Sequence, residues 1–265
     1  MLKLTDVRYS FSKAFLGGNE GGNAIADVIF GKTNPSGKLP MTFPKVLEDC
    51  PSNANFGQAM TTVYAEGLKI GYRYFDRPGN PSSQFAFGCV FFLPRDMQKL
   101  TEIYPFNSHG LSYTTFAYSD IRTEGTPGFG VNVGFTVKNT GKLRGAEAAQ
   151  VYVHALSSRV ERPDVELKGF AKVLLEPGES KRLEVNLDVS VMHISPLIAI
   201  ERGSSFFFQH QAFSFYDVQK QGWVGEAGCY EIRVGGSSIH TALSVPFVLE
   251  KSFSWVGVKE PWVLL

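Results

Sequence analysis

Apolar and polar positions change rhythm along the chain. Between residues 24 and 30, Ile25, Val28, Ile29 and Phe30 fall three or four apart with Asp27 off their face, which predicts one amphipathic helix. Asn23 stands where a cap belongs, and Gly31 where a glycine ends a helix. Asn34-Pro35-Ser36-Gly37 then predicts a tight turn, with Gly37 supplying the positive φ, and residues 39–44 leave as an extended segment bounded by Pro40 and Pro44. Residues 64–76 are dense in aromatics; as extended chain they put Tyr72 and Tyr74 on one side and Arg73 and Phe75 on the other. From Tyr113 onward the period is two. Residues 131–137 alternate, and residues 147–155 put Val151 and Val153 on one face with Gln150, Tyr152 and His154 on the other. Residues 167–175, 183–187, 229–234 and 243–248 continue at the spacing of a β-sandwich, with Pro177-Gly178-Glu179 as a hairpin-class turn.

Composition changes that picture in two ways. With 43 % hydrophobic residues over 265 positions the chain can bury a core, so disorder throughout is excluded. A formal net charge of +1, with no basic cluster interleaved with aromatics, argues against nucleic acid and against an anionic membrane, and so for a neutral partner. Cys50, Cys89 and Cys229 are too few and too scattered for a disulfide framework or a zinc site, although one disulfide among them stays open. No stretch approaches the roughly 20 apolar residues of a membrane helix, and residues 1–11 do not read as a signal peptide.

The glycine-rich helix and proline exit of residues 17–44, the run Tyr64 to Asp76, His109-Gly110-Leu111-Ser112-Tyr113-Thr114-Thr115-Phe116 and Leu167-Lys168-Gly169-Phe170 together resemble glycoside hydrolase family 3, most closely its fungal β-glucosidases. The resemblance implies a mainly β chain: a fibronectin type III-like β-sandwich preceded by a remnant of an α/β sandwich domain and an extended linker. The expected division is residues 1–48 for the remnant, 49–112 for an interdomain clamp, 113–250 for the fibronectin-like domain and 251–265 for a tail. Two stretches interrupt family motifs. Residues 89–108 separate Phe87-Gly88 from His109, and residues 194–211 delay the strand at Ala212-Phe213-Ser214-Phe215-Tyr216-Asp217. Both are expected to be insertions of the kind a translated intron leaves.

A retaining glycosidase needs two carboxylates about 5 to 5.5 Å apart, one a nucleophile and the other a proton shuttle. The resemblance implies that the family's nucleophilic aspartate and its acid/base glutamate lie upstream of this chain, so no catalytic, cofactor-binding or metal-binding residue is expected in it. Glu20 and Glu66 match structural positions of the motifs, and Asp27 reads as a helix-surface residue. Gly31-Lys32-Thr33 is not a phosphate loop, because the position five residues before Gly31 is Ala26, inside the helix. The histidines His109, His154, His193, His210 and His240 are not paired at metal-ligand spacing, and His109 beside Ser112 lacks the elbow and acidic partner of a hydrolase triad.

The expected function is that of the carboxy-terminal portion of a β-glucosidase. The complete enzyme would remove terminal β-linked glucose with retention, without cofactor or metal, from a β-glucoside or oligosaccharide, and would be secreted as its family is. The chain alone is expected to be silent. The rivals are a noncatalytic β-sandwich that binds carbohydrate or protein through Tyr216, Trp223 and Tyr230, a β-xylosidase or N-acetylglucosaminidase of the same family, and a pseudogene product that does not fold.

Overall fold

The computed structural model describes residues 18–57, 60–61, 63–90, 112–126, 130–187 and 212–255. It is mainly β, as the two-residue period from Tyr113 requires. Among the described residues, three antiparallel sheets hold ten strands: β1 (Phe116–Thr126), β2 (Gly130–Asn139), β3 (Gly145–Ala155), β4 (Glu166–Leu175), β5 (Ser180–Asn186), β6 (Ser214–Asp217), β7 (Gly222–Gly225), β8 (Gly228–Gly235), β9 (Thr241–Leu249) and β10 (Phe253–Trp255). Their orders are β1-β2-β5, β4-β3-β8-β9 and a small β10-β7-β6.

The first two sheets face each other across one core. The alternation seen in residues 131–137 places Val131, Val133, Phe135 and Val137 inside it, all fully buried, against Val151, Val153, Ile232, Val234 and Phe213. Pro246 lies in β9, at the edge of its sheet, where a residue without an N–H does least harm to the ladder. The turn at Pro177-Gly178-Glu179 exists, with Gly178 at φ +79°, but it is not a hairpin. It carries the chain from β4 in one sheet to β5 in the other, which is how a sandwich closes its two layers.

The amino-terminal part departs from the sequence pattern in three places. Helix α1 spans Gly21–Ile29, three residues earlier than the apolar period suggests, and Glu20 rather than Asn23 occupies the cap position. Asn23 instead donates its side-chain amide to Glu20 Oε2 at 2.6 Å. Gly31 ends the helix at φ +74°, as expected. Residues 34–37 form no turn, and Gly37 has no positive φ; Asn34 is held from outside. Its Oδ1 accepts from the backbone N of Tyr113 at 2.8 Å and its Nδ2 donates to Ser112 Oγ at 2.8 Å.

The third departure is α2 (Tyr72–Phe75), one helical turn where alternation suggests extended chain. Gly71, at φ +60°, makes the corner that starts it. The turn brings Tyr72 and Phe75 to one side, three residues apart, and splits Tyr72 from Tyr74.

Candidate functional site

The polar groups that converge most closely lie where residues 34–90, an arm running over the sandwich, meet β3 and the loop between β8 and β9. The arm folds back on itself as a ribbon. Lys38 bridges Val90 and Phe43 bridges Phe85, with Leu39 N donating to Cys89 O at 2.8 Å and Gly88 N donating to Leu39 O at 2.9 Å. Cys89 and Val90, the first two positions of the expected insertion 89–108, are buried in this ribbon; the rest of that insertion and all of residues 194–211 lie outside the described residues.

The ribbon covers the face of β3 that the alternation marked as polar. Gln150 and Tyr152 are therefore as buried as Val151 and Val153, and β3 is a strand with two covered faces. Gln150 Nε2 donates to Gly88 O at 3.0 Å and to Gly236 O at 2.9 Å, so one side chain ties the arm to the β8–β9 loop. The Tyr72 ring stacks on Phe87 at 4.6 Å and meets Tyr152 edge-on at 6.3 Å, and the Tyr72 hydroxyl accepts from the backbone N of Leu167 at 2.9 Å. Lys38 Nζ reaches Glu147 Oε1 at 3.0 Å and Gly236 O at 2.9 Å. Tyr118 donates to the same Glu147 oxygen at 2.7 Å; burial and that carboxylate push its hydroxyl far above the usual tyrosine range. At the rim, Glu161 accepts from Lys69 at 2.8 Å and from Arg77.

A second buried ionic group lies at the start of β4. Burial works against ionisation of Glu166, but Lys168 and Arg162 outweigh it and hold its carboxyl below the usual range, bonding it at 3.0 and 2.7 Å. This satisfied cluster braces the Leu167-Lys168-Gly169-Phe170 segment that Tyr72 reads.

The carboxylates weighed in the sequence are spread apart by the fold. Glu20 caps α1, Asp27 pairs with exposed Lys32 at 3.1 Å, and the Glu66 carbonyl accepts from Lys69 N at 2.9 Å in a turn. His154 leans its Nδ1 on Asp164 O, His240 lies exposed in the β8–β9 loop, and His109, His193 and His210 lie outside the described residues. Among the described residues there is no group of three or more His, Cys, Asp or Glu placed to hold a metal. Cys50, Cys89 and Cys229 carry free thiols, so the open disulfide is not formed.

Of the three aromatics considered for ligand binding, Tyr230 is core: it is 1 % exposed, and its hydroxyl donates to Glu226 O at 2.7 Å. Tyr216 and Trp223 do pair across β6 and β7, edge to face at 5.8 Å. Sequence reasoning missed Gln150 and Asp76. A glutamine between alanine and valine in a strand rich in apolar residues was the available signal for the first, since a buried amide must find partners.

Comparison with known proteins agrees with this geometry. The glycosyl hydrolase family 3 C-terminal domain matches residues 10–72, and the fibronectin type III-like domain matches residues 147–195. A probable β-glucosidase I from Aspergillus oryzae is 37 % identical over 254 residues, covering 92 % of this chain and 25 % of that protein. The crystal structure of a Bifidobacterium adolescentis GH3 β-glucosidase superposes with a TM-score of 0.71 at 32 % identity, over 95 % of this chain and 31 % of that one. A Kluyveromyces marxianus β-glucosidase, solved in complex with glucose, gives 0.71 at 34 % identity over 91 % and 24 %.

A two-sheet fibronectin-like domain clasped by an arm with a glycine-bounded helix is the carboxy-terminal architecture of a glycoside hydrolase. The chain belongs to glycoside hydrolase family 3, in the portion that carries that family's C-terminal and fibronectin type III-like domains. It spans about a quarter of the length of the curated relatives it matches.

Proposed function

We propose that the chain serves as the supporting carboxy-terminal portion of a β-glucosidase, whose complete form removes terminal β-linked glucose with retention. In this reading no residue of the chain acts as nucleophile or proton donor, and its own work is mechanical. The sandwich is a rigid base, and the arm on it presents α1 and the loops after it to a catalytic body. Export with that body, and a β-glucoside or oligosaccharide as its ligand, belong to the same reading.

The observation that carries it is where apolar surface is left open. Ile25 and Ile29 on α1 and Phe30 at its C-cap are exposed, Phe30 to 86 %, and Met41, Val46, Leu47, Phe56, Leu68 and Ile70 follow on the same part of the chain. An amphipathic helix with no buried residue has its face ready for another body. The uncovered side belongs to the family's C-terminal domain match, while the sandwich core is closed.

Two assays test this together. The purified chain should release nothing measurable from an aryl β-glucoside. A chimera that joins it to the A. oryzae relative, cut before the region of similarity, should hydrolyse that substrate. Turnover by the chain alone at an intact enzyme's rate overturns the proposal, and so does a folded, monodisperse chimera without activity.

A further inference from the structure

Among the described residues, the buried side-chain polar atoms without a hydrogen-bond partner are Thr42 Oγ1 and both carboxylate oxygens of Asp76. Asp76 ends α2, its backbone N donating to Tyr72 O at 2.9 Å, so the carboxyl sits where the arm bears on the sandwich. The groups that face it come from four places. They are Ser238 in the β8–β9 loop, Asp164 in the connection before β4, Tyr152 on β3 and Cys89 on the arm's own ribbon. No cation is among them. Arg77 is engaged by Glu161, Arg73 lies over the Tyr72 ring at 5.8 Å, and Lys38 is held by Glu147.

Ser238 decides the sign. Its hydroxyl donates to Phe87 O at 3.2 Å, and its backbone N donates to the same oxygen at 3.1 Å. A hydroxyl that has given its one proton to Phe87 offers Asp76 only lone pairs. A protonated carboxyl can donate to them; a carboxylate cannot be served unless Ser238 abandons Phe87, one of the contacts that seat the arm.

We propose that Asp76 is a proton-operated latch between the arm and the sandwich: carrying a proton, it completes the Ser238–Phe87 contact and seats the arm, and without one it strands a negative charge there and loosens the arm. Burial is the main cause that pushes the carboxyl up to about 6, and the Asp164 carboxylate adds to the rise; the Ser238 hydroxyl pulls it down only in so far as it gives up Phe87 O and donates to the carboxylate instead. A raised acid carries no penalty where arm-seated and arm-released forms are both protonated. The penalty grows as pH rises from the ordinary carboxylate value toward the raised one, and is complete above it. Seating therefore weakens by about tenfold between pH 5 and pH 7.5. The inference does not depend on the glucosidase reading, since it concerns only contacts within this chain.

Amide hydrogen exchange on the full chain reads the latch. After correction for intrinsic rates, protection at Leu167 and Ser238, whose amides bond the arm, should fall about tenfold from pH 5 to pH 7.5, while Val133 in β2 stays unchanged. In Asp76→Asn, where the amide donates to Ser238 at every pH, the fall should vanish. Equal protection of the wild-type amides at both pH values overturns the proposal, as does an unchanged fall in D76N. If D76N does not fold, a carbon-detected titration of the wild-type Asp76 carboxyl decides: a midpoint near 6 upholds the latch and one near 4 ends it.

Discussion

Lys38 shows how much one side chain can hold. It stands in a segment of the arm with no regular secondary structure, yet it neutralises Glu147 on β3 and bonds the carbonyl of Gly236 at the far end of the sandwich sequence. Removing it leaves Glu147, which is 6 % exposed, with a charge and only Tyr118 to serve it. Breaking one side of a buried pair costs about 3–5 kcal/mol. Lys38→Met should therefore lower the unfolding free energy read from urea denaturation by about that much, whereas Tyr118→Phe, which removes a single hydrogen bond to a charged group, should cost about 1.5–3 kcal/mol. Little of this was legible beforehand. Lys38 is an ordinary charged residue in sequence, and its partners lie 109 and 198 positions away. Tyr230 misled in the opposite direction, since an aromatic in an alternating strand reads the same whether its face meets solvent or the β6 segment.

At the scale of elements, strands were legible and the arm was not. Alternation located β2, β3, β4, β5, β8 and β9 because each packs one face on the common core, and a two-residue period is what that burial imposes. It could not show that β3 is covered on both faces, because the second cover comes from a ribbon with no period of its own. Nor could it show α2, whose single turn follows from the corner at Gly71 and the stacking of Tyr72 on Phe87. The ribbon makes a sharp comparison available. Gly88 has φ +79°, and a Cβ there would fall 2.2 Å from Gln150 Oε1. Gly57 has φ +68° with nothing within 4 Å. Gly57→Ala should cost only the left-handed backbone term, about 1–2 kcal/mol. Gly88→Ala adds displacement of Gln150 from two carbonyls, and should destabilise by at least about 1 kcal/mol more. Equal losses in thermal melts of the two variants would mean that Gln150 does not tie arm to sandwich.

At the scale of the whole molecule apolar exposure is lopsided: α1 buries none of its residues, whereas the sandwich exposes Phe170, Val218 and Val248 but encloses a core, and that asymmetry gives the last expectation. Family motifs made the lopsidedness legible as a portion of a larger architecture. Which residues stay open followed only from the fold, since Ile25 and Val28 look alike in sequence while Ile25 and Ile29 are exposed and the Tyr113 hydroxyl lies against Val28, bonding its carbonyl at 2.8 Å. In the chain alone, Ile25→Ser, Ile29→Ser and Phe30→Ser combined should cost no more than about 1.5 kcal/mol, because Phe30 is almost fully exposed and Ile25 and Ile29 bury only part of their surface. Self-association at high concentration, read by light scattering, should fall as the patch becomes polar. In the chimera with the catalytic body the same three substitutions remove side chains worth about 1.5–3 kcal/mol each when buried. There the melting transition should drop sharply and aryl-glucosidase activity with it. A triple variant that behaves alike in both settings would show that α1 faces solvent in the assembled enzyme too, and the mechanical role assigned to the arm would then have to rest on the loops that follow it.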